Sequence, residues 1–184
     1  MRMRIISGEY KGRFINVPKS NLIRPTTDRV RETLFNLLNN MIDFNGIKVL
    51  DFYAGSGSLG LECLSRGAKE VHFVEKNFVI YKNLYENIKS LNVETQSKIF
   101  KMTSQKFSQM LPATGYDLIL ADPPFFDDDI YPVTENIKTN KLLNPESFMI
   151  IERSVQTKEK DIKHFNVEPF KLIGDICLYK IENN

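Results

Sequence analysis

The sequence contains no uninterrupted apolar run long enough to cross a bilayer, which takes about twenty residues. Its basic N-terminus is followed by no apolar signal core, so the expected location is the cytoplasm, with no membrane partner. Cysteine is scarce, with only Cys63 and Cys177 in 184 residues. Each sits in an apolar pattern, and neither has a Cys or His neighbour at metal-ligand spacing. They read as buried small hydrophobes, and no metal site is expected. Internal repeats, low-complexity tracts and long linkers are also missing. What is present suits one packed domain of ordinary size: 42% hydrophobic and 26% charged residues.

The net charge of +2 hides an asymmetry. Residues 1–31 hold eight basic groups (Arg2, Arg4, Lys11, Arg13, Lys19, Arg24, Arg29 and Arg31) against Glu9 and Asp28, a balance of +6 that leaves −4 for the remainder. A basic arm on an acidic body points to a polyanion held by one end of the protein.

Along the chain, Arg4-Ile5-Ile6 and Phe14 to Val17 read as a hairpin around a Gly8 to Gly12 turn. A helix follows, with Thr26 or Thr27 as N-cap and Asp28 in its positive first turn. Val30, Leu34, Leu37, Leu38 and Met41 form its core face, leaving Arg29 and Arg31 free for contacts. From residue 47 strands and helices alternate. Strands are expected at Lys48–Phe52, Glu70–Glu75, Lys98–Met102, Tyr116–Asp122 and Phe148–Glu152. Helices are expected at Leu59–Arg66, Phe78–Leu91, Gln105–Leu111 and Pro132–Thr139. Phe165 to Ile181 reads as two strands turning near Gly174. This is an α/β pattern: a mostly parallel sheet covered by helices, finished by an antiparallel hairpin. Residues 1–45 form a basic extension and 46–184 the main domain. Ligands of such sheets bind beyond the carboxyl ends of the strands.

One such end carries Asp51-Phe52-Tyr53-Ala54-Gly55-Ser56-Gly57-Ser58-Leu59-Gly60, with Gly55, Gly57 and Gly60 in G-x-G-x-x-G spacing. Glycines let the backbone approach a ligand, and the helix start that follows favours an anion. The pattern alone fits a dinucleotide pyrophosphate or an amino-acid carboxylate. Asp51 favours the amino acid, because a carboxylate repels pyrophosphate but accepts hydrogen bonds from an ammonium group. Asp51 could also be a simple loop acid or helix cap. Glu75 ends the next strand, 20 residues past Gly55, where an acid suits two ribose hydroxyls. S-adenosylmethionine carries a carboxylate, an ammonium and a ribose.

A second strand end carries Asp122-Pro123-Pro124-Phe125. Two prolines remove two N–H donors and leave an acceptor-rich corner, the Asp122 carboxylate and the Pro123 carbonyl. An exocyclic NH2 has two hydrogens for two acceptors. Held so, its nitrogen keeps its lone pair available for in-line attack on a sulfonium methyl, and positioning supplies much of the rate. Phe125 offers a flat face for stacking a base that has left its own stack. Cytosine C5 methylation would need a nucleophilic cysteine, and neither cysteine lies in a suitable loop.

With these residues in place the chain resembles the bacterial small-subunit (16S) ribosomal RNA guanine-N2 methyltransferases of the RsmD type. The resemblance covers nearly the whole chain. It includes Arg4 to Gly8, Lys11-Gly12-Arg13, Arg24 to Phe35, Asp51 to Gly60, Glu75-Lys76-Asn77, Asp122 to Phe125 and Gly174-Asp175. It implies a Rossmann-like methyltransferase fold: a mostly parallel seven-stranded sheet with a reversed last strand, plus an N-terminal hairpin and helix extension. It implies S-adenosylmethionine as cofactor and, as substrate, a guanine of 16S RNA in an assembling small subunit with ribosomal proteins already bound. By resemblance, Asp51, Gly55 and Gly57 hold the methionine part and Glu75 the ribose. Tyr53, Ala54, Ser56, Lys76 and Asn77 complete the cofactor-binding set. Asp122, Pro123, Pro124 and Phe125 hold the guanine. Arg4, Lys11, Arg13, Arg24, Thr26, Thr27, Arg29 and Arg31 would contact RNA. The chain departs from the family at Met102-Thr103-Ser104, where Asp or Asn usually binds the adenine amine; Thr103 and Ser104 take that place. Alternatives are a DNA adenine-N6 or protein-glutamine methyltransferase, or an assembly factor without catalysis. Nothing in the sequence demands a dimer, and a monomer is expected.

Overall fold

The strand–helix alternation builds one twisted sheet with helices on both faces, as a computed structural model of the chain shows; residues 1–18, 28–111, 114–124 and 126–183 are described. The elements are β1 (Arg2–Arg4), β2 (Phe14–Asn16), α1 (Asp28–Leu38), β3 (Lys48–Phe52), α2 (Ser58–Ser65), β4 (Glu70–Val74), α3 (Phe78–Leu91), β5 (Ser97–Phe100) and α4 (Ser104–Ser108). They continue with β6 (Tyr116–Ala121), α5 (Ile130–Thr139), β7 (Leu143–Ser154), α6 (Lys158–Phe165), β8 (Lys171–Ile173) and β9 (Ile176–Glu182). The seven-stranded sheet has the order β5-β4-β3-β6-β7-β9-β8. β9 is antiparallel to both neighbours, while the pairs from β5 to β7 are parallel. Among the described residues no helix is long and apolar enough to cross a membrane.

The period-two alternation of strand residues divides the core in two. Val49, Phe73, Leu118, Leu120 and Ile150 face one cluster, with α1, α2 and α3 and with Met3, Ile5, Ile15 and Val17 of the hairpin. Leu50, Phe52, Ile119, Met149 and Ile151 face the other, with α5 and α6 residues. Cys63 and Cys177 are free, buried thiols within these clusters, as expected.

The hairpin is tied to α2 by its backbone. Ile6 and Ser7 N–H donate to the two oxygens of buried Glu62 at 2.8 and 3.0 Å, and Glu9 N–H donates to the Ser65 carbonyl at 2.7 Å. Gly8, at φ +82°, lies so close to Ser65 that a Cβ would fall 1.7 Å from its carbonyl oxygen. Asn87, buried on α3, donates to the carbonyls of Asn16 and Ser56, both at 2.9 Å, and so joins the hairpin to the glycine loop.

Three expectations need correction, and one helix is additional to them. Arg31 is not free for contacts: it is fully buried, donating to the Arg4 carbonyl and to Asp28, both at 2.7 Å. It locks α1 to the hairpin, because its long side chain points back across the apolar face instead of outward. Met41 lies beyond α1 and is 37% exposed. β7 starts five residues early at Leu143, because Asn144 to Ser147 loop out between the pairs Tyr116–Leu143 and Leu118–Phe148. Finally, α6 lacks the apolar stripe that announces a helix, since it buries Asp161 and Phe165 and little else. Thr26 and Thr27, the expected caps of α1, lie outside the described residues.

Candidate active site

β3 and β6 are hydrogen-bonded neighbours, and the chain leaves them toward opposite sides of the sheet. Their carboxyl ends therefore form the switch point where α/β sheets bind ligands. Phe52 pairs with Ala121 on one side and with Val74 on the other. The glycine loop, the Asp122 turn and Glu75 are thus brought together, as the sequence reading required.

The loop is built from the backbone outward. Tyr53, Gly55 and Gly57 have φ of +58°, +56° and +82°, and Gly57 N–H donates to the Ala54 carbonyl at 2.7 Å. Left-handed backbone suits the glycines and is uncommon for Tyr53. A Cβ at Gly55 would meet only the Tyr53 carbonyl oxygen, at 3.8 Å, whereas one at Gly60 would lie 2.3 Å from the Phe73 ring. Gly55 therefore leaves room for a ligand to approach, and Gly60 is the point of helix–sheet contact. No side chain caps α2, which leaves its positive end available to an anion.

The two acids brace this loop. Asp51 is buried, and its Oδ2 accepts from Gly60 N–H at 2.9 Å. It holds the third glycine from behind. Burial drives its carboxyl well above the usual range, opposed by the Gly60 bond and reinforced by the negative charges of Asp122 and Glu75. Glu75 accepts from Gly55 N–H at 3.1 Å and from Asn77 N–H at 2.7 Å. Burial raises its carboxyl too, and the backbone donors oppose that rise. Asn77 caps α3, accepting from Val79 and Ile80 N–H. Thr103 caps α4 in the same way, taking Lys106 N–H at 3.2 Å, beside buried Ser104. Its hydroxyl thus already has a structural partner at the place expected to meet adenine.

In the Asp122-Pro123-Pro124 turn Asp122 is half-buried, Pro123 buried and Pro124 exposed, while Phe125 lies outside the described residues. The turn is held by a residue that the sequence reading did not single out. Arg153, fully buried at the end of β7, donates from Nη1 to the Pro124 and Asp127 carbonyls, both at 3.3 Å. Its Nε pairs with buried Asp161 at 3.1 Å, and Asp161 also accepts from the Tyr131 hydroxyl at 2.8 Å and from Thr157 at 2.6 Å. The available signal was a charged pair, Glu152-Arg153, interrupting an apolar strand. Two more contacts hold the turn: Lys160 pairs with Asp128 at 2.5 Å, and the Tyr53 hydroxyl donates to Asp129 at 2.7 Å. Tyr53 thereby links the glycine loop to the turn that follows Asp122.

Of the basic residues expected to meet RNA, Arg4, Lys11, Arg13 and Arg29 are exposed, and Arg31 is not. Arg24, Thr26 and Thr27 lie outside the described residues.

A family model described as "Conserved hypothetical protein 95" matches residues 3–180. The Ribosomal RNA small subunit methyltransferase D of Haemophilus influenzae is 36% identical, with 99% of this chain and 94% of that protein covered. The chain belongs to this methyltransferase family. The Escherichia coli counterpart is 34% identical over 84% of this chain and 76% of its own. The solved structure of Escherichia coli yhhF superposes with a TM-score of 0.84 at 28% identity, covering 100% of this chain and 99% of that one. The fold is the Rossmann-like methyltransferase fold, and S-adenosylmethionine is the cofactor. The site fits it: an open approach at Gly55, an uncapped helix start at α2 and an acid, Glu75, at the end of the adjacent strand.

Proposed function

We propose that this protein methylates the exocyclic N2 amine of a guanine in small-subunit (16S) ribosomal RNA. The observation that carries the reading is the placement of the acceptor-rich Asp122-Pro123 corner beside the glycine loop at the switch point. S-adenosylmethionine supplies a methyl group activated on a positively charged sulfur. Asp122 and the Pro123 carbonyl accept the two amine hydrogens and keep the nitrogen lone pair out of the ring. Phe125 stacks on the base. Asp51 and Glu75 fix the loop that faces the cofactor, and Glu75 retains lone pairs for ribose hydroxyls. The relatives named above act on small-subunit ribosomal RNA, which favours RNA over DNA. In this reading residues 1–45 bring RNA to a methyltransferase unit of residues 46–184. The exposed Arg4, Lys11, Arg13 and Arg29 bind phosphates, and a monomer works in the cytoplasm on an assembling subunit.

The test is incubation with labelled cofactor and, separately, small subunits, 16S RNA and DNA, followed by mapping of the labelled base. Label on a 16S guanine amine is expected; label on DNA adenine or on protein would overturn the assignment. Asp122→Ala is expected to lower transfer at least about a hundredfold, the order seen on losing one transition-state contact. Binding of S-adenosylhomocysteine should stay near wild type. A folded Asp122→Ala variant that no longer binds it would show that Asp122 serves the cofactor instead.

A further inference from the structure

Helix α3 leaves one aromatic face uncovered. Its buried side, Ile80, Leu84, Asn87, Ile88 and Leu91, packs on the sheet and the hairpin. Phe78, Lys82, Tyr85 and Lys89 stand at i, i+4, i+7 and i+11, a single stripe along the helix. All four are exposed, Phe78 by 49% and Tyr85 by 44%. The rings are surrounded by ammonium groups. Lys82 and Lys101 Nζ lie 4.4 and 4.6 Å from the Phe78 centroid, and Lys89 Nζ lies 5.7 Å from that of Tyr85. Glu86, the one acid of this helix, lies off the stripe.

The stripe also has a direction. Its start adjoins Asn77 and Glu75, whose carboxylate holds the glycine loop. At its far end the Ser90 carbonyl accepts from the Arg13 guanidinium, so a cation of the hairpin sits against the C-terminal end of α3. Alternating aromatics and lysines along an exposed line are what a single-stranded nucleic acid needs: rings for bases, cations for phosphates. Three lysines around two rings would be poorly matched to an apolar protein anchor.

We propose that this face of α3 is a second RNA-binding surface, which takes a single-stranded segment flanking the target guanine. Bases stack on Phe78 and Tyr85, and Lys82, Lys89 and Lys101 meet phosphates. An exposed cation–π contact is weaker than a base stacked on an aromatic ring, so an incoming base displaces the lysine, and the freed ammonium turns to the backbone. The proposal rests on the reading of RNA as substrate.

The test uses the full chain and a labelled 16S RNA fragment containing the mapped methylation site, with Kd followed against salt. Lys82→Glu with Lys89→Glu should weaken binding at least tenfold at low salt and flatten the log–log salt slope by about 1.4, the value for two single-strand phosphates. Phe78→Ala with Tyr85→Ala should weaken binding severalfold with no change of slope. Both variants should bind S-adenosylhomocysteine as wild type does. Unchanged RNA affinity in both variants, beside a wild type that binds and methylates, would overturn this surface and leave the substrate assignment standing. A wild type that binds no RNA would overturn both. Lost affinity for small subunits but not for the RNA fragment would assign the face to a protein, and lost S-adenosylhomocysteine binding would assign Phe78 to the cofactor; either result overturns the proposal.

Discussion

The glycine loop and the Asp122 turn are neighbours at one end of the sheet, yet they are held by different means. The loop of residues 52–60 is fixed mostly by its own conformation, with left-handed glycines, one short internal backbone bond and Asp51 just before it, while Glu75 and Asn87 each add a bond from the neighbouring strand end and helix. The turn from Pro124 to Asp129 is fixed from afar. Arg153 of β7, Lys160 of α6 and Tyr53 of the other loop each take hold of it. A cofactor used in every turnover is met by a preformed surface. The turn rests on a side-chain scaffold centred on the buried Arg153–Asp161 pair, with the exposed Lys160–Asp128 pair beside it.

That contrast can be broken from the turn side first. Arg153→Ala leaves Asp161 charged and buried without its partner, a loss of about 3–5 kcal/mol for such pairs. Chemical denaturation should show it. The double change Arg153→Met with Asp161→Leu removes both charges and should recover most of that stability. It does not restore the donor to the Pro124 and Asp127 carbonyls. The double variant should therefore fold, bind S-adenosylhomocysteine normally and methylate slowly. Wild-type rates in it would mean that Arg153 serves stability alone. On the loop side, Gly60→Ala forces a methyl against the Phe73 ring, and overpacking of this kind costs about 1–3 kcal/mol. Here the expected functional loss is in cofactor affinity, measured by calorimetry, with transfer at saturating cofactor little changed. If Gly60→Ala and the Arg153 double variant damaged the same parameter, the two regions would not be separable.

The same contrast explains how much the sequence disclosed. Local construction is legible: glycine spacing, a strand-end acid and a Pro-Pro corner are short-range patterns, and alternation of apolar residues sets the order of strands and helices. Remote construction is not. Arg153 pairs with Asp161 across eight residues and reaches a turn 26 residues earlier, a relation that only the sheet order creates. α6 escaped notice for the same reason, because its buried face carries a carboxylate where an apolar residue would announce a helix. Arg31 shows the opposite error. Its place off the apolar stripe suggested solvent, but a long side chain can bend back to a backbone carbonyl.

The smallest expected effect lies where the two regions touch. Tyr53→Phe removes one hydroxyl and leaves both loops their other supports. Burial holds the Asp129 carboxyl above its ordinary range, and the Tyr53 hydroxyl bond pulls it back down. Without that bond the folded-state value rises further. A raised carboxyl favours folding in its protonated form, so its contribution is present below the unfolded value and is lost as pH climbs through the folded one. The variant should therefore match wild type near pH 3 and fall behind as pH rises. At neutral pH the deficit should be about 1 kcal/mol, a charged hydrogen bond discounted for half-exposure. Thermal melts at two pH values would read it. A deficit that is equally large in acid would mean that the hydroxyl's value lies in packing, with no dependence on the Asp129 charge. With the predicted pH dependence, a modest fall in methyl transfer without loss of cofactor affinity would show that the bridge aligns the turn with the loop.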